Sequence, residues 1–413
     1  MLAIQLLQQV IWQIGALLCS PVFWLAGVVV LLQTRQRARL KADFFQLRRE
    51  PLGKTVLFIM AAGLSGGVLA SGLLLLLGVG VDNIGLEYIW MIALLLLLVR
   101  QRFLCFAYSG GLLALSHWLT GWPLLDAAQL LALVAVLHIT EAFLVLITGH
   151  LNALPVYLQD KQHGIIGGFV LQMVWPLPLV MLAGLQLFGT LPQAGFLLLP
   201  EWWPLLGGVE HDAARAGLFL LLPVLAALGY SDVAICHSIR QKTRQSATLL
   251  LLYSGVLLLL VLLTRSIPVL QWVPALFAPL GHEAVIQYGR QQETQGTPRF
   301  TAPEQGVLVL DVQQGSPAAR AGLHSEDWII QLDGQAVRNR QDFLRRQYLL
   351  YGRVKVAYMR RGRMKQCRLH MKQWSQPGII TAPDGQCNIY WNLGVDEGFA
   401  KILYKKWVKR LKK

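Results

Sequence analysis

Long apolar segments fill residues 1–281 and restrict this part of the chain to folds that a lipid bilayer can surround. The runs 73–77, 94–98 and 257–263 carry no charge, and the whole chain is 55% hydrophobic but only 14% charged. Apolar segments of about 20 residues are typical of transmembrane helices. Eight such helices are predicted, at residues 10–32, 54–81, 86–99, 103–122, 127–149, 165–190, 216–235 and 246–263. A shorter ninth segment at 266–281 contains three prolines, so we expect an all-α polytopic membrane domain with eight or nine transmembrane helices.

The positive charges lie in alternate loops between these segments. They follow the first, third, fifth and seventh segments, at residues 35–54, 100–102, 161 and 240–244. Loops rich in Lys and Arg stay in the cytoplasm, which places the N-terminus outside. With eight spans the C-terminal third would also lie outside, and with nine it would lie in the cytoplasm. Its excess of basic residues favours nine.

Two ionisable residues lie near the middle of the fifth segment. His138 and Glu141 are three residues apart in LVAVLHITEAFLVL, so they share one face of a helix. Ionisable groups are costly in lipid and normally face the interior of a helix bundle with a partner. We expect this intramembrane pair to be an interhelical hydrogen-bond clamp. A proton relay or a small-ligand site is the alternative.

His282 and Glu283 match the beginning of the zinc-protease motif HExxH, but Ile286 stands where the motif has its second His. The five cysteines are odd in number and form no CxxC pair, which argues against a disulfide framework. We therefore expect no catalytic residue, no metal site and no cofactor, and a protein that is not an enzyme.

The segment GVLVLDVQQGSPAARAGLHSEDWIIQLDGQAV, which begins at Gly306, has a specific order of elements. An apolar strand at 307–312 leads through GSPA into a short helix, and a second strand at 328–332 leads into a tight turn at Asp333 and Gly334. A helix at 339–351 and a hairpin at 353–371 follow. This order resembles bacterial PDZ domains, and the resemblance covers residues 300–373.

PDZ domains bind an extended peptide between a strand and a helix, so the resemblance implies an α/β domain with protein partners. The residues that would line the groove are Gly306, Val307, Leu308, Val309, Phe343, Gln347 and Leu350. The alternative is that these residues form the core of a PDZ fold that packs only against its own membrane domain.

A polytopic region followed by one PDZ domain also resembles the bacterial division-site scaffolds of the MinJ family. The segments that carry this resemblance are QTRQRARLKADF, LHITEAFL, GGFVLQMVWPLPLVML and GHEAVI. It implies a non-enzymatic, multi-pass scaffold of the bacterial cell membrane with a cytoplasmic PDZ domain, acting in division-site selection or polar localisation. A proton-coupled transporter that uses His138 and Glu141, or a regulatory subunit of a membrane protease, are the alternatives.

The last residues form a basic amphipathic pattern. Phe399, Leu403, Trp407 and Leu411 recur every four residues, and lysines flank them. Such a helix, predicted over 396–413, would lie on an anionic membrane surface or dock on the PDZ domain. No nucleic-acid-binding motif is present, so no nucleic-acid partner is expected. The predicted organisation is a membrane domain (1–281), a linker (282–299), a PDZ domain (300–373) and a C-terminal extension (374–413).

Overall fold

The fold consists of an N-terminal region, residues 2–295, and a C-terminal domain, residues 296–384. The structure is a computed structural model. It describes residues 2–47, 50–82, 84–160, 162–184, 205–206, 219–347, 349, 351–371, 376–384 and 391–392.

Eight α-helices form most of the described N-terminal region. They are α1 (Leu2–Cys19), α2 (Pro21–Phe45), α3 (Gly53–Leu77), α4 (Leu86–Val99), α5 (Phe106–Thr120), α6 (Ala127–Thr148), α7 (Ile239–Ser266) and α8 (Trp272–Gln295). Single 3₁₀ turns, Gln101–Leu104 and Pro268–Leu270, precede α5 and α8.

The number of helical spans is smaller than predicted. Among the described residues, four helical segments are long and apolar enough to cross a membrane: α3, α6, α7 and Pro268–Gln295. The pair α1 and α2, bent by 65° at Ser20, raises the number to five if it forms one span. Helix α4 has 14 residues and α5 has 15, about 21–23 Å, which is shorter than a hydrocarbon core of about 30 Å. The prediction of eight or nine transmembrane helices is therefore not supported.

The prediction of helices at 165–190 and 216–235 is wrong for the described parts of these segments, so the region is not all-α. They are two strands of one antiparallel hairpin, β2 (Gly164–Gly184) and β3 (Phe219–Ala234), paired from Phe169↔Ala234 to Gly184↔Phe219. Proline explains the difference. Pro176, Pro178 and Pro223 lie inside these strands, and a proline in a helix interior removes a hydrogen bond and clashes with the preceding turn.

The outer edge of β2 is covered by β1 (Leu154–Asp160) in its first part and by α3 from Pro176 onward, as buried backbone groups require. The first part of β2 pairs with β1. Beyond it, the carbonyls of Pro176 and Pro178 lie so close to α3 that a Cβ atom on Gly63 or Gly67 would be 2.2 or 2.3 Å from them.

The next backbone donor along β2 is also paired with α3. The N–H of Val180 donates to Ser71 Oγ at 2.9 Å, and Val81, just after α3, donates its N–H to the Leu182 carbonyl at 2.8 Å. The two prolines have no N–H, so they suit an edge that offers few acceptors.

The C-terminal domain is a sheet with the strand order β8-β7-β5-β4-β9, in which β6 pairs with β5. Its strands are β4 (Val307–Val312), β5 (Trp328–Leu332), β6 (Gln335–Ala336), β7 (Gly352–Arg360), β8 (Arg363–Met371) and β9 (Ile379–Thr381). Two short helices, α9 (Pro317–Arg320) and α10 (Arg340–Gln347), complete it.

The C-terminal extension and the linker also differ from the sequence expectation. Strand β9 belongs to the sheet although it lies beyond residue 373, and β10 (Trp391–Asn392) pairs with β1. The predicted helix 396–413 lies outside the described residues. Helix α8 continues to Gln295, so most of the predicted linker 282–299 is helical.

The C-terminal domain packs against the base of the hairpin and the end of α2. Gly167 of β2 donates its N–H to the Phe300 carbonyl at 2.8 Å, and Arg299 donates its N–H to the Ile235 carbonyl at 3.1 Å. Lys41 forms an ion pair with Asp311 at 3.0 Å. Phe300 and Leu310 belong to the same buried cluster as the core of the N-terminal region, so the two parts share a continuous apolar interface.

Candidate functional sites: an occupied strand edge and a buried cysteine–histidine cluster

Strand β4 has a partner on both sides. On one side Val307 and Leu308 pair with β5. On the other side β9 runs antiparallel to it, with Val309 opposite Thr381 and Val312 opposite Ile379. Backbone hydrogen bonds of 2.8 Å join Ala382 N–H to the Leu308 carbonyl and Gln313 N–H to the Gly378 carbonyl. The edge of β4 therefore carries an antiparallel strand from the same chain.

The side chains of this segment, residues 376–384, alternate between two apolar environments. Ile379 packs into the core of the C-terminal domain together with Val309 and Phe343. Ile380 and Ala382 face the opposite way and belong to the core of the N-terminal region. The segment is thus buried between the two parts of the molecule.

Polar contacts hold the end of the segment in place. Arg340, at the start of α10, donates from Nε to Thr381 Oγ1 at 3.1 Å, and its guanidinium lies 3.7 Å from the Asp384 carboxylate. Tyr157 of β1 donates its hydroxyl to the Thr381 carbonyl at 2.9 Å, and the Arg340 guanidinium lies over the Tyr157 ring. Groups from β4, α10 and β1 therefore all contact residues 378–384.

The predicted groove residues lie on different faces. Val307, Val309 and Phe343 are buried in one cluster, which Ile379 joins. Leu308 packs on the other side of the sheet, against the N-terminal region. The side chain of Gln347 is buried, whereas Leu350 lies outside the described residues.

Gly306 has a left-handed backbone with a φ of 76°, and a Cβ there would lie 2.5 Å from the Ile329 carbonyl. Its N–H donates to the Arg338 carbonyl at 3.1 Å. Glycine is therefore required at this turn into β4, which is the place of the peptide-carboxylate loop that the PDZ resemblance implies.

A second cluster lies inside the N-terminal region, where three helices meet. Cys105 precedes α5, and its Sγ accepts a hydrogen bond from Ala107 N–H at 3.5 Å. His138 lies in α6 and His282 in α8. Their Nε2 atoms lie 3.1 and 3.6 Å from Cys105 Sγ, and one ligand atom of each of the three residues lies within 4.8 Å of the other two.

The two imidazole rings differ in their hydrogen bonds. Nδ1 of His138 lies 2.7 Å from the Val134 carbonyl, which can only accept, so Nδ1 carries the proton and Nε2 presents a lone pair to Cys105. His282 is 8% exposed, and its Nδ1 has no hydrogen-bond partner among the described residues. The rings of Tyr253 and Tyr108 contact the ring of His282 edge-on.

The acidic residues noted in the sequence lie differently from what was expected. No hydrogen bond joins His138 to Glu141 among the described residues, because the imidazole of His138 faces Val134 and Cys105. Glu283 is also paired away from the cluster. Its carboxylate accepts from the Tyr108 hydroxyl at 2.6 Å and contacts Arg102 at 3.1 Å.

The sequence did not predict that the residues of either site lie together. Cys105, His138 and His282 are separated by 33 and 144 positions, so no local motif joins them. Residues 376–384 were treated as part of an extension, although GIITA has the short apolar character of a strand. The predicted membrane-surface residues Phe399, Leu403, Trp407 and Leu411 lie outside the described residues.

Comparison with known proteins identifies the C-terminal domain. Residues 281–371 match the family model of the PDZ domain. No curated protein matches the chain. Among solved structures, the PDZ domain of an SdrC-like protein from Listeria monocytogenes is 26% identical, covering 19% of this chain and 90% of that one, with a TM-score of 0.18. A protein from Geobacillus thermodenitrificans is 27% identical, covering 17% of this chain and 80% of that one, with a TM-score of 0.15. Residues 281–371 of this chain are therefore a PDZ domain, a fold that binds protein partners, and it follows a region with several apolar helices.

Proposed function

We propose that this protein is a non-enzymatic membrane scaffold that recruits a protein partner by strand addition to β4 of its PDZ domain. The observation that carries the proposal is the antiparallel pairing of β9 with β4. A PDZ ligand is an extended peptide that adds to a sheet edge and places alternate side chains in pockets. Residues 378–382 have this geometry, with Ile379 directed into the PDZ core and Ile380 directed away from it.

Because the chain's own segment occupies the edge, a partner strand has to replace it. The affinity for the partner then falls by the fraction of molecules in which β4 is free. Residues 376–384 also contact Tyr157 and the core of the N-terminal region, so their release would change the contact between the two parts of the molecule. Partner binding is thereby coupled to the packing of the PDZ domain on the N-terminal region.

The test uses the purified full chain in detergent and, as a probe, a fluorescent peptide with the sequence QPGIITAPD of residues 376–384. In one variant these residues are replaced by a Gly-Ser linker of equal length. We expect the variant to bind the peptide at least about 10-fold more tightly than the unmodified chain. A matched peptide with Ile379→Asp should bind neither the variant nor the unmodified chain. Equal, weak binding of both peptides to the variant would refute strand addition at β4.

We further propose that the PDZ domain lies in the cytoplasm. Its contacts with the N-terminal region support this location independently of the number of spans. Asp311 pairs with Lys41 in the basic stretch that ends α2, and Arg299 donates to Gln241 in the basic first turn of α7. Loops and helix ends rich in Lys and Arg stay in the cytoplasm.

A cysteine introduced at exposed Glu304 tests this orientation. A membrane-impermeant maleimide should label the Glu304→Cys chain in opened cells but not in intact cells, measured as the signal above the parent chain. Labelling in intact cells would place the PDZ domain outside.

The role in division-site selection or polar localisation in bacteria is also a proposal, and it rests on the resemblance to the MinJ family. A fluorescent fusion in dividing bacterial cells should concentrate at the septum or the poles. A uniform distribution along the membrane would argue against this role and would leave the strand-addition mechanism untouched.

Anionic lipid is the second partner that we propose, through residues 396–413. The full chain is held in a vesicle by its apolar helices, which would hide any additional binding by residues 396–413. The test therefore uses a synthetic peptide of residues 396–413. It should sediment with anionic vesicles. The bound fraction should fall as salt increases, because salt screens the attraction between the lysines and the anionic lipid. Equal binding to neutral vesicles would refute the electrostatic contact.

A further inference from the structure

We propose that Cys105, His138 and His282 bind one transition-metal ion, and that Zn²⁺ is the ion this donor set fits best. Thiolate sulfur and imidazole nitrogen are donors of zinc sites, and copper is the other common ion that accepts one cysteine with two histidines. The proposal is independent of the peptide edge, because the cluster lies among α5, α6 and α8.

The separations of the donor atoms agree with one tetrahedral ion between them. Zinc lies about 2.3 Å from a thiolate sulfur and about 2.0–2.1 Å from an imidazole nitrogen, so a tetrahedral angle puts S and N about 3.5 Å apart. The two Sγ–Nε2 distances are 3.1 and 3.6 Å. The two sulfur–nitrogen separations are therefore those of donors that share one ion, and the three donors lie within 4.8 Å of one another.

The hydrogen bonds of His138 prepare it as a ligand. Its Nδ1 is fixed by the Val134 carbonyl at 2.7 Å. A metal-bound imidazole normally donates its second N–H to a carbonyl or carboxylate, which sets the tautomer and the ring orientation. Nε2 of His138 is consequently unprotonated and points toward Cys105, as coordination requires.

Without an ion, Cys105 cannot satisfy both imidazoles. The thiol of Cys105 has one hydrogen and can donate it to only one imidazole, and His138 is the nearer of the two. Buried polar side chains almost always have a partner. An ion at the centre of the cluster binds both Nε2 atoms at once and removes this competition.

The surroundings can also balance the charge of the ion. Metal binding converts the Cys105 thiol into a thiolate. Glu141 lies one turn beyond His138 on α6, within electrostatic range of Cys105. One thiolate and one carboxylate neutralise a divalent cation, and a neutral assembly is what an apolar interior tolerates.

The proposed ion would join the start of α5, the middle of α6 and the middle of α8. Helix α8 leads directly into the PDZ domain, so the ion would fix the direction in which that domain leaves the N-terminal region. Glu283 follows His282 but is paired with Tyr108 and Arg102, so it does not supply a fourth ligand.

The first experiment measures metal content. The full chain, purified in detergent with a tag that contains no histidine, should hold about one zinc ion per chain by mass spectrometry. The variants Cys105→Ser, His138→Gln and His282→Gln should lose most of it. The matched controls are Cys19→Ser and His117→Gln, which change a cysteine and a histidine outside the cluster and should keep the ion. Copper in place of zinc, lost in the same three variants, would also support the site.

The second experiment measures metal binding by the unmodified chain, so its main result does not depend on whether the variants fold. Co²⁺ added to the metal-stripped, unmodified chain should produce the charge-transfer absorption of a cobalt–thiolate bond. Cys19→Ser should leave this absorption unchanged and Cys105→Ser should abolish it. An unmodified chain that binds no more metal than the three variants, or a cobalt spectrum without a thiolate band, would overturn the proposal.

Discussion

Two strand edges in this molecule are buried in different ways. The outer edge of β2 faces helix α3, where glycines at 63 and 67 allow the helix backbone to approach and Ser71 accepts the Val180 N–H. The edge of β4 faces another strand, β9, through main-chain hydrogen bonds. The first edge depends on individual side chains at fixed positions. The second depends on a main-chain ladder together with a side chain, Ile379, that fills the core beneath β4.

The β2 edge therefore has a structural role, whereas the β4 edge is the one where we propose that a peptide is exchanged. The β2 edge requires the small residues of α3, four apart, and the Ser71 hydroxyl at the height of Val180. The strand-addition proposal requires that the strand at the β4 edge can be replaced, and main-chain contacts of this kind carry no sequence information. We therefore expect the hairpin edge to respond strongly to single substitutions and the β4 edge to respond to competition by peptides.

The largest effect is expected from Gly67→Leu. A Cβ atom at this position would lie 2.3 Å from the Pro178 carbonyl, a backbone atom that cannot move without disturbing β2. We expect a loss of about 2 kcal/mol or more, seen as a lower melting temperature and a lower yield of monodisperse protein. Gly72→Leu on the same helix is the control, because a Cβ there has no neighbour within 4 Å. Equal behaviour of the two variants would mean that α3 does not seal the edge.

Ser71→Ala should have the next largest effect. It leaves the Val180 N–H buried without its acceptor, at a cost of about 1–3 kcal/mol in unfolding free energy. The control is Ser254→Ala in α7, whose buried hydroxyl donates to the Leu250 carbonyl of its own helix at 2.8 Å. If the control lost as much stability as Ser71→Ala, the hydrogen bond between Ser71 and Val180 would not stabilise the protein more than a hydrogen bond within a helix.

Hydrogen exchange compares the two edges directly. The amides of Gln313 and Ala382 at the β4–β9 edge should exchange at least about 10-fold faster than the amide of Val180, because β9 can open locally whereas β2 opens only with the N-terminal region. Peptide-resolved mass spectrometry of the full chain in detergent can measure both. Equal protection would contradict an exchangeable β4 edge.

The smallest effect is expected from Arg340→Ala. This change removes the hydrogen bond to buried Thr381 and the contact with partly exposed Asp384, and we expect a cost of about 1 kcal/mol. Binding of the QPGIITAPD peptide in competition with the native segment should rise by a few-fold. Arg345→Ala, on the exposed side of α10, should change neither quantity.

The sequence is sufficient to predict strands and turns of the PDZ domain, because each is specified by residues adjacent in the chain. The strands at 307–312 and 328–332 were predicted at their observed limits, and the GSPA turn, the left-handed glycines and the hairpin are specified by adjacent residues. Helices α3 and α6 were also close to the predicted 54–81 and 127–149. In these cases the residues that determine the element lie within it.

The sequence is insufficient where apolar composition is the only signal. Residues 165–184 and 219–234 are as hydrophobic as a transmembrane helix, and hydrophobicity alone does not distinguish a helix from a strand that is buried on both faces. Pro176 and Pro178, two residues apart, are the local sign of a strand edge, but they favour a strand only because α3 is present to cover that edge.

The sequence by itself determined the apolar helices, the PDZ fold and the residues with unusual chemistry in apolar surroundings, His138 and His282 among them. Only the tertiary structure decided which of these residues meet. His138 faces Cys105 and His282 instead of Glu141, and Ile379 completes the core beneath β4. Local periodicity is set by neighbours along the chain, whereas a buried cluster or an occupied strand edge is set by packing between segments that are more than 30 positions apart.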